Sequence, residues 1–331
     1  MQTLKPGLKD IYQADHLIRE TIYRTPLVHS PWLSEFSDCK VYLKLENLQV
    51  TGSFKIRGAT NKILNLKDEE RARGVIAVSS GNHGRAVAYV AGMHEISAVV
   101  CVSETVPDNK VKAIRDLGVE VVIAGATYDE ATEGALRIQN ERGLTMIHPF
   151  DDSLVIAGQG TIGLELMEAQ PDIDSVIVPL SGGGLLGGIA LTLKSINPEI
   201  TIIGVSMDKG AAMVESLKTG KVVEIVEETS LADALMGGLG MDNQYTFNII
   251  RETVDQTVLV TEEEIAAGMT FALEEQHLVV EGGGAVGISA LLAGKLKFQG
   301  DKVAVVISGS NVSLATLMNV ARGNYPYQSG Y

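Results

Sequence analysis

Residues 51–59 have the sequence TGSFKIRGA, which sets a lysine among glycine, small hydroxyl and apolar residues. Between residues 47 and 66 the only charged residues are Lys55, Arg57 and Lys62. A lysine in so apolar a setting loses hydration, so its ammonium form is disfavoured and its pKa falls. That change prepares a lysine for Schiff-base chemistry. A solvated surface lysine is the common alternative, and a cofactor pocket elsewhere in the chain would decide against it.

Composition is typical of a large α/β protein. The chain has 331 residues, is 45% hydrophobic and contains 35 glycines, enough for two domains with many tight turns. With 27 Lys and Arg against 41 Asp and Glu, the net charge is −14, which disfavours nucleic acid and anionic membrane as partners. No signal peptide or membrane-length apolar run is apparent. Cys39 and Cys101 lie far apart without metal-ligand spacing, and we expect reduced cysteines in a cytoplasmic protein.

Apolar strands alternate with helices along most of the chain. We expect strands at 40–46, 75–79, 98–102, 119–124, 175–180, 201–205, 257–260 and 302–307. We expect helices at 8–23, 31–37, 55–66, 82–91, 108–117, 128–142, 156–167, 184–195, 210–218, 262–275, 285–296 and from 312 onward. Near-continuous apolar strands between helices are typical of parallel strands buried on both faces.

The pattern therefore predicts an α/β fold of two open parallel-sheet domains with helices on both faces. The smaller domain is expected at 51–148, and the larger one at 1–50 together with 149–331. No regulatory C-terminal domain is expected after the last helix. Ligands of such folds bind beyond the carboxyl ends of the strands, so the loops that follow strands are candidate sites.

Two such loops could bind anions. Residues 79–84, SSGNHG, connect a strand to a helix whose first N–H groups are free for a carboxylate or phosphate, although an ordinary N-cap is the alternative. Residues 181–187, SGGGLLG, also lead from a strand into a helix, and their glycines would let the backbone approach a phosphate. Gly182, Gly184 and Gly187 also satisfy G-x-G-x-x-G, with Asp208 about twenty residues on, so an NAD-linked enzyme is an alternative.

A third loop, residues 308–311 with the sequence SGSN, follows the last expected strand. A neutral serine at this place could hydrogen-bond the nitrogen of a heterocyclic ring. Asn311 could instead simply cap the final helix.

Together these blocks resemble the fold-type II pyridoxal-phosphate enzymes, in particular the threonine/serine dehydratase and serine racemase family with its tryptophan synthase beta-like fold. The matching blocks are GSFK at 52–55 with RGA at 57–59, SGNH at 80–83, HPFDD at 148–152, AGQGT at 157–161, the glycine loop, VEG at 280–282 and SG at 308–309. The ordered match explains all three loops, whereas the dinucleotide hypothesis explains one.

The resemblance implies pyridoxal 5'-phosphate as cofactor and a role for each matched residue. Lys55 would bind the cofactor as a Schiff base and later move protons at the substrate α-carbon. The implied cofactor contacts are Phe54 against the ring, Asn82 to the ring 3-oxygen, Ser308 to the pyridine nitrogen, and Gly182, Gly183, Gly184 and Leu185 around the phosphate. The implied substrate-carboxylate site is formed by Ser79, Ser80, Gly81, Asn82 and His83.

The resemblance also implies a reaction. A serine cannot protonate the pyridine as a carboxylate would, which weakens the ring as an electron sink and suits β-elimination. The expected function is dehydration and deamination of a β-hydroxy amino acid such as threonine or serine, an ammonia-lyase reaction that gives a 2-oxo acid and ammonia. Segments 149–152 and 235–244 are expected to select the substrate side chain.

Several alternatives stay open. Ser80 is the residue that serine racemases use opposite the lysine, so a serine- or aspartate-type amino acid racemase is possible. Segments 204–207 and 240–243 resemble a dehydratase branch that acts on a hydroxyectoine-derived amino acid. A cofactor-binding protein without turnover is a remote alternative.

Metal and assembly expectations also come from the resemblance. Members with a structural divalent cation carry carboxylates where this chain has Ser206 and Ala212, so no metal site is expected. The family's members are usually homodimers or homotetramers, and we expect one of these states. The expected partner is a small-molecule amino acid, with neither nucleic acid nor membrane.

Overall fold

The computed structural model describes residues 5–297 and 300–324, which form two sheets surrounded by helices. The strands are β1 Leu27–His29, β2 Lys40–Leu45, β3 Val75–Val78, β4 Ala98–Ser103, β5 Glu120–Gly125, β6 Thr145–Met146, β7 Ser175–Pro179, β8 Thr201–Met207, β9 Gln256–Val260 and β10 Lys302–Ile307. The helices are α1 Leu8–Ile18, α2 Pro31–Ser37, α3 Lys55–Leu64, α4 Asp68–Arg73, α5 Asn82–Met93, α6 Asp108–Arg115, α7 Tyr128–Arg142, α8 Ser153–Ala169, α9 Gly184–Ile196, α10 Ala212–Thr219, α11 Thr246–Thr253, α12 Glu262–Glu274, α13 Gly282–Leu292 and α14 Leu314–Ala321. None of the described helices is long and apolar enough to cross a membrane.

The two sheets are parallel apart from one edge strand. The larger sheet has six strands in the order β1-β2-β10-β7-β8-β9, and the smaller has four in the order β5-β4-β3-β6. Among the described residues, the strands of both sheets pair in parallel except β1 with β2. All residues of β3, β4 and β7 are buried, as expected for central strands covered by helices on both faces. The predicted α/β fold class is confirmed, and the boundaries of the two domains stay a prediction.

Several element boundaries differ from the sequence-based expectation. Helix α1 ends at Ile18 rather than Tyr23, because the chain turns there and Tyr23 exchanges two hydrogen bonds with the Gln49 side chain, at 3.0 and 2.8 Å. Helix α13 begins three residues before the expected Ala285, in spite of its glycines. A Cβ on Gly282 would lie 2.1 Å from the carbonyl oxygen of Leu231, so close backbone packing requires glycine there.

A cluster of buried charged side chains connects α3, the helix that begins at Lys55, with β2 and α8. Arg57 on α3 contacts Glu46 through Nε and Nη2, both at 2.8 Å, and Glu165 on α8 through Nη1 at 2.6 Å and Nη2 at 3.0 Å. Lys44 on β2 also donates to Glu165 and to the carbonyl oxygen of Thr25. Burial alone would lower the pKa of Arg57, but the two carboxylates raise it, so the guanidinium is charged. The cluster fixes α3, and with it Lys55, against β2 and α8.

Candidate active site

One cavity, with a volume of about 430 Å³, is lined by every residue that the resemblance assigns to the cofactor or to the substrate carboxylate. Its walls come from the loops after β3, β7 and β10 and from the start of α3. The sequence-predicted residues along it are Phe54, Lys55, Ser79, Ser80, Gly81, Asn82, His83, Gly182, Gly183, Gly184, Leu185 and Ser308. The fold therefore brings three loops, distant in sequence, to one place around Lys55.

Lys55 is the first residue of α3 and its amine lies inside the cavity. Nζ donates to the carbonyl oxygen of Pro149 at 2.7 Å. The preceding loop is fastened to the loop after β10, because Phe54 N–H donates to the Ser308 carbonyl at 3.0 Å. Burial lowers the pKa of Lys55 from 10.5 to about 8, against an opposing effect from the charge of Glu281. A substantial fraction of the amine is thus neutral near physiological pH.

The start of α9 offers free backbone donors. Gly183, at the N-cap, has a φ of 89°, a left-handed conformation that favours glycine, and has no side chain to cap the helix. The first N–H groups of a helix have no intrahelical acceptor and carry the positive end of its dipole. Gly182 and Gly184 are required by packing, since a Cβ on either would come within 3 Å of Phe150. These donors suit a phosphate.

The start of α5 forms a second donor site on the cavity wall. Gly81 is the N-cap of α5, and no side chain caps this helix either. The His83 ring does not contribute a donor to this site, because its Nε2–H donates to the carbonyl oxygen of Ile147 at 2.7 Å. Burial lowers the pKa of His83 to about 3, so the ring is neutral. Any contribution of His83 to carboxylate binding would therefore come from its backbone N–H.

Asn82 and Ser308 differ in how strongly they are held. The Asn82 amide donates to Glu281 Oε1 and accepts from Asn311 Nδ2, both at 2.6 Å. The Ser308 hydroxyl is buried, and its only hydrogen bond to the described residues is a long contact of 3.5 Å to the carbonyl oxygen of Gly283. That weak contact leaves the hydroxyl free to turn toward a ligand.

Sequence reasoning missed four polar groups of this site. Lys55 contacts the carbonyl oxygen of Pro149, and Asn82 contacts Glu281 and Asn311. Arg85 lines the same cavity and contacts Asn311. Glu281 had been noted within the VEG block but without a role. Burial raises its pKa to about 7, a change that depends on tertiary packing and leaves no local pattern.

Only parts of segments 149–152 and 235–244, which were expected to select the substrate side chain, line the cavity. Pro149, Phe150 and residues 235–238 line the cavity. Asp151 instead accepts hydrogen bonds from the backbone N–H groups of residues 244–246, and Asp152 caps α8. Within the described ranges no group of three or more His, Cys, Asp or Glu side chains could hold a metal ion.

The donors of this cavity fit one kind of cofactor. A lysine of lowered pKa suits a carbonyl carbon, uncapped helix N–H groups suit a phosphate, and a loosely held neutral hydroxyl suits a ring nitrogen. With the parallel α/β fold, the site defines a pyridoxal-phosphate enzyme of fold-type II.

Comparison with known proteins agrees. Residues 18–309 match the family model described as "Pyridoxal-phosphate dependent enzyme", and the chain belongs to this family. It is 46% identical over 307 residues to an L-threonine ammonia-lyase of Thermotoga maritima, covering 93% of this chain and 76% of that one. A maize serine racemase structure superposes with a TM-score of 0.91 at 34% identity, covering 97% of this chain and 98% of that one. A threonine deaminase structure from Solanum lycopersicum superposes with a TM-score of 0.88 at 34% sequence identity, covering 97% of this chain and 91% of that one.

The cofactor of this family is pyridoxal 5'-phosphate, as the sequence predicted. The glycine loop lies within the matched region, so the dinucleotide hypothesis for that loop is set aside.

Proposed function

We propose that the chain is an ammonia-lyase that removes water and then ammonia from a β-hydroxy amino acid such as threonine or serine. The observation that carries the proposal is the position of Lys55, whose amine of lowered pKa shares one cavity with the uncapped α9 and the neutral Ser308. The names of relatives at 40–50% identity support the same reaction.

Each residue then has a defined task. Bound pyridoxal phosphate supplies an electron-withdrawing ring that acidifies the α-proton of an amino acid. Residues 182–185 would bind its phosphate through backbone N–H groups at the start of α9, and Ser308 would hydrogen-bond its ring nitrogen without transferring a proton. Backbone N–H groups of residues 80–83 bind the substrate carboxylate at the start of α5.

Lys55 holds the cofactor and moves the α-proton at Nζ. Its lowered pKa makes the neutral amine available as a base near pH 8. The Cα–H and Cβ–O bonds break, and the α-proton and the β-hydroxyl together account for the water released. A water molecule from the solvent then hydrolyses the resulting enamine to a 2-oxo acid and ammonia.

A substrate panel tests this function. The purified chain should show the visible absorption of a lysine-bound pyridoxal cofactor and release a 2-oxo acid and ammonia from threonine, serine, 3-hydroxyaspartate or a hydroxyectoine-derived amino acid. Lys55→Ala should abolish both signals, while Lys112→Ala, at an exposed lysine of α6, should change neither. Cofactor absorption without product from any substrate would favour a binding protein without turnover.

Racemisation is the second candidate, because Ser80 lines the same cavity as Lys55. A racemase needs a second proton-transfer group on the opposite face of the substrate, and a serine hydroxyl could act there. In this case L-serine would yield D-serine, and Ser80→Ala would abolish D-serine while leaving pyruvate. Pyruvate without D-serine from the wild-type chain would dismiss the racemase.

We further propose a cytoplasmic homo-oligomer, a dimer or tetramer. Free thiols at Cys39 and Cys101 are consistent with a reducing compartment. The exposed fractions of Trp32 (56%) and Leu314 (71%) support association, since large apolar side chains are enriched at subunit contacts. Light scattering of the purified chain would give the mass, and a monomeric mass at micromolar concentration would refute the oligomer.

A further inference from the structure

Four polar side chains form a continuous chain of hydrogen bonds along the cavity. Arg85 Nη1 donates to Asn311 Oδ1 at 3.0 Å, and Asn311 Nδ2 donates to Asn82 Oδ1 at 2.6 Å. Asn82 Nδ2 in turn donates to Glu281 Oε1 at 2.6 Å. All four residues line the cavity, and they come from α5, the loop after β10 and the N-cap of α13.

The donor and the acceptor of each hydrogen bond in this series are fixed. A guanidinium can only donate, so Asn311 must turn its oxygen toward Arg85 and its nitrogen toward Asn82. The Asn311 nitrogen faces Asn82, so Asn82 must accept there through its oxygen and turn its nitrogen toward Glu281. Each amide could be flipped if it stood alone, but Arg85 fixes the orientation of Asn311, and Asn311 fixes that of Asn82.

The position of Glu281 is itself fixed. Its side chain is buried, and a Cβ on Gly309 would come within 2.2 Å of Oε1, so the carboxylate fills the space that this glycine leaves. The backbone N–H of Asn311 also stabilises its charged form. Asn311 therefore contacts Asn82 through its side chain and Glu281 through its backbone N–H.

One N–H of the Asn82 amide has no acceptor in the described part of the chain. We propose that Arg85, Asn311 and Glu281 are positioning residues that hold the Asn82 amide as a donor toward the ring 3-oxygen of the cofactor. In the flipped orientation Asn82 would present an oxygen to an oxygen, which is repulsive. The inference rests on the proposed function, which assigns Asn82 to that oxygen.

The sharpest variant is Asn311→Asp, which keeps the shape and still accepts from Arg85. Its carboxylate would face Asn82 Oδ1, so the Asn82 amide turns and its donor is withdrawn from the ring. The dissociation constant of pyridoxal phosphate should rise about 10-fold or more, and the pH at which the visible absorption titrates should change. Asn319→Asp, an exposed asparagine on α14, introduces the same charge and should change neither quantity.

A double-mutant cycle tests whether Arg85 acts through Asn82. Arg85→Met should weaken cofactor binding in the wild-type background but have less than about a 2-fold effect after Asn82→Ala. Glu281→Gln, which can still accept from Asn82, should retain most of the affinity, whereas Glu281→Leu should lose it. Circular dichroism and the thermal midpoint would identify any variant that fails to fold, and the cycle does not depend on Asn311.

The outcomes separate the two proposals. Wild-type affinity in both folded Asn311→Asp and folded Arg85→Met, or additive effects in the cycle, would overturn the positioning role while the proposed function stands. Failure of the wild-type chain to bind pyridoxal phosphate would refute the proposed function and the inference with it.

Discussion

Lys55 shows how one residue can be unfavourable for folding and favourable for chemistry. Its amine lies in the cavity and donates to the carbonyl oxygen of Pro149. The same burial that lowers its pKa to about 8 makes the protonated form less stable in the folded state than in the unfolded one. Functional sites often carry such a stability penalty.

The penalty predicts that Lys55→Met stabilises the cofactor-free protein at neutral pH. A pKa fall from 10.5 to about 8 corresponds to a destabilisation of about 3 kcal/mol, which the variant removes. Loss of the hydrogen bond to Pro149 reduces this gain in the free energy of unfolding by about 1 kcal/mol. The unfolded state binds more protons between pH 8 and 10.5, so wild-type stability rises with pH there and the advantage of the variant shrinks.

Urea unfolding at pH 7 and pH 10 would measure this difference. Lys62→Met is the matched control, because Lys62 lies on the same helix but forms an ion pair with Asp152 at 2.6 Å. An equal or lower free energy of unfolding for Lys55→Met at pH 7 would contradict the assignment of an enclosed, destabilised amine.

At the scale of elements, the buried charge cluster holds α3 in place. Arg57→Met should destabilise the fold by about 4 kcal/mol, because it leaves Glu46 and Glu165 buried with one cation, Lys44, between them. Arg57→Lys should recover little of this loss, since an ammonium cannot form the paired contacts to both carboxylates.

The control for this prediction is Arg142→Met. Arg142 also makes two contacts with one carboxylate, Glu120, at 2.7 and 3.1 Å, but both side chains are exposed. Exposed ion pairs contribute little to stability, so this change should leave the urea midpoint nearly unaltered. Similar losses for the two variants would show that enclosure of the Arg57 cluster is not what stabilises α3.

Elements with long periodic patterns were predictable, and short or packing-dependent ones were not. Tyr128–Arg142 has the predicted bounds because Thr127 caps its start and Gly143 ends it, which are local signals. Strand β1 has three residues, too few for a period, and exists because it pairs with β2. Helix α11 was missed in an irregular stretch, and its start is fastened by Asp151, about 95 residues earlier.

The same division applies to the site. Lys55 and the glycine loop carried local signals, namely an apolar context and a strand-to-helix turn. The partners of Asn82 did not, because Glu281 and Asn311 lie 199 and 229 residues further along the chain. Sequence patterns identified the groups that would touch a cofactor, and tertiary structure revealed the groups that orient them.

For the molecule as a whole, the cavity joins elements of both sheets. Lys55 and residues 79–83 belong to segments around the four-stranded sheet, whereas residues 182–185 and Ser308 follow β7 and β10 of the six-stranded sheet. Lys110 on α6 and Asp233 line the same cavity and form an ion pair at 3.0 Å. A ligand bound among these groups would therefore stabilise the contact between the two parts.

Removal of the cofactor should accordingly lower the thermal midpoint of the whole protein. At a free concentration 100 times the dissociation constant, a ligand that binds only the folded state adds about 2.7 kcal/mol. For a chain of 331 residues this corresponds to about 4 °C, at roughly 2.1 cal/mol/K of unfolding entropy per residue. Hydroxylamine treatment followed by dialysis would give the cofactor-free protein, and readdition of pyridoxal phosphate should restore the midpoint.

Lys55→Ala should show a smaller increase, because the phosphate donors of α9 remain while the lysine does not. A midpoint unaffected by the cofactor would mean that the folded protein does not bind it preferentially, which would contradict the cofactor assignment.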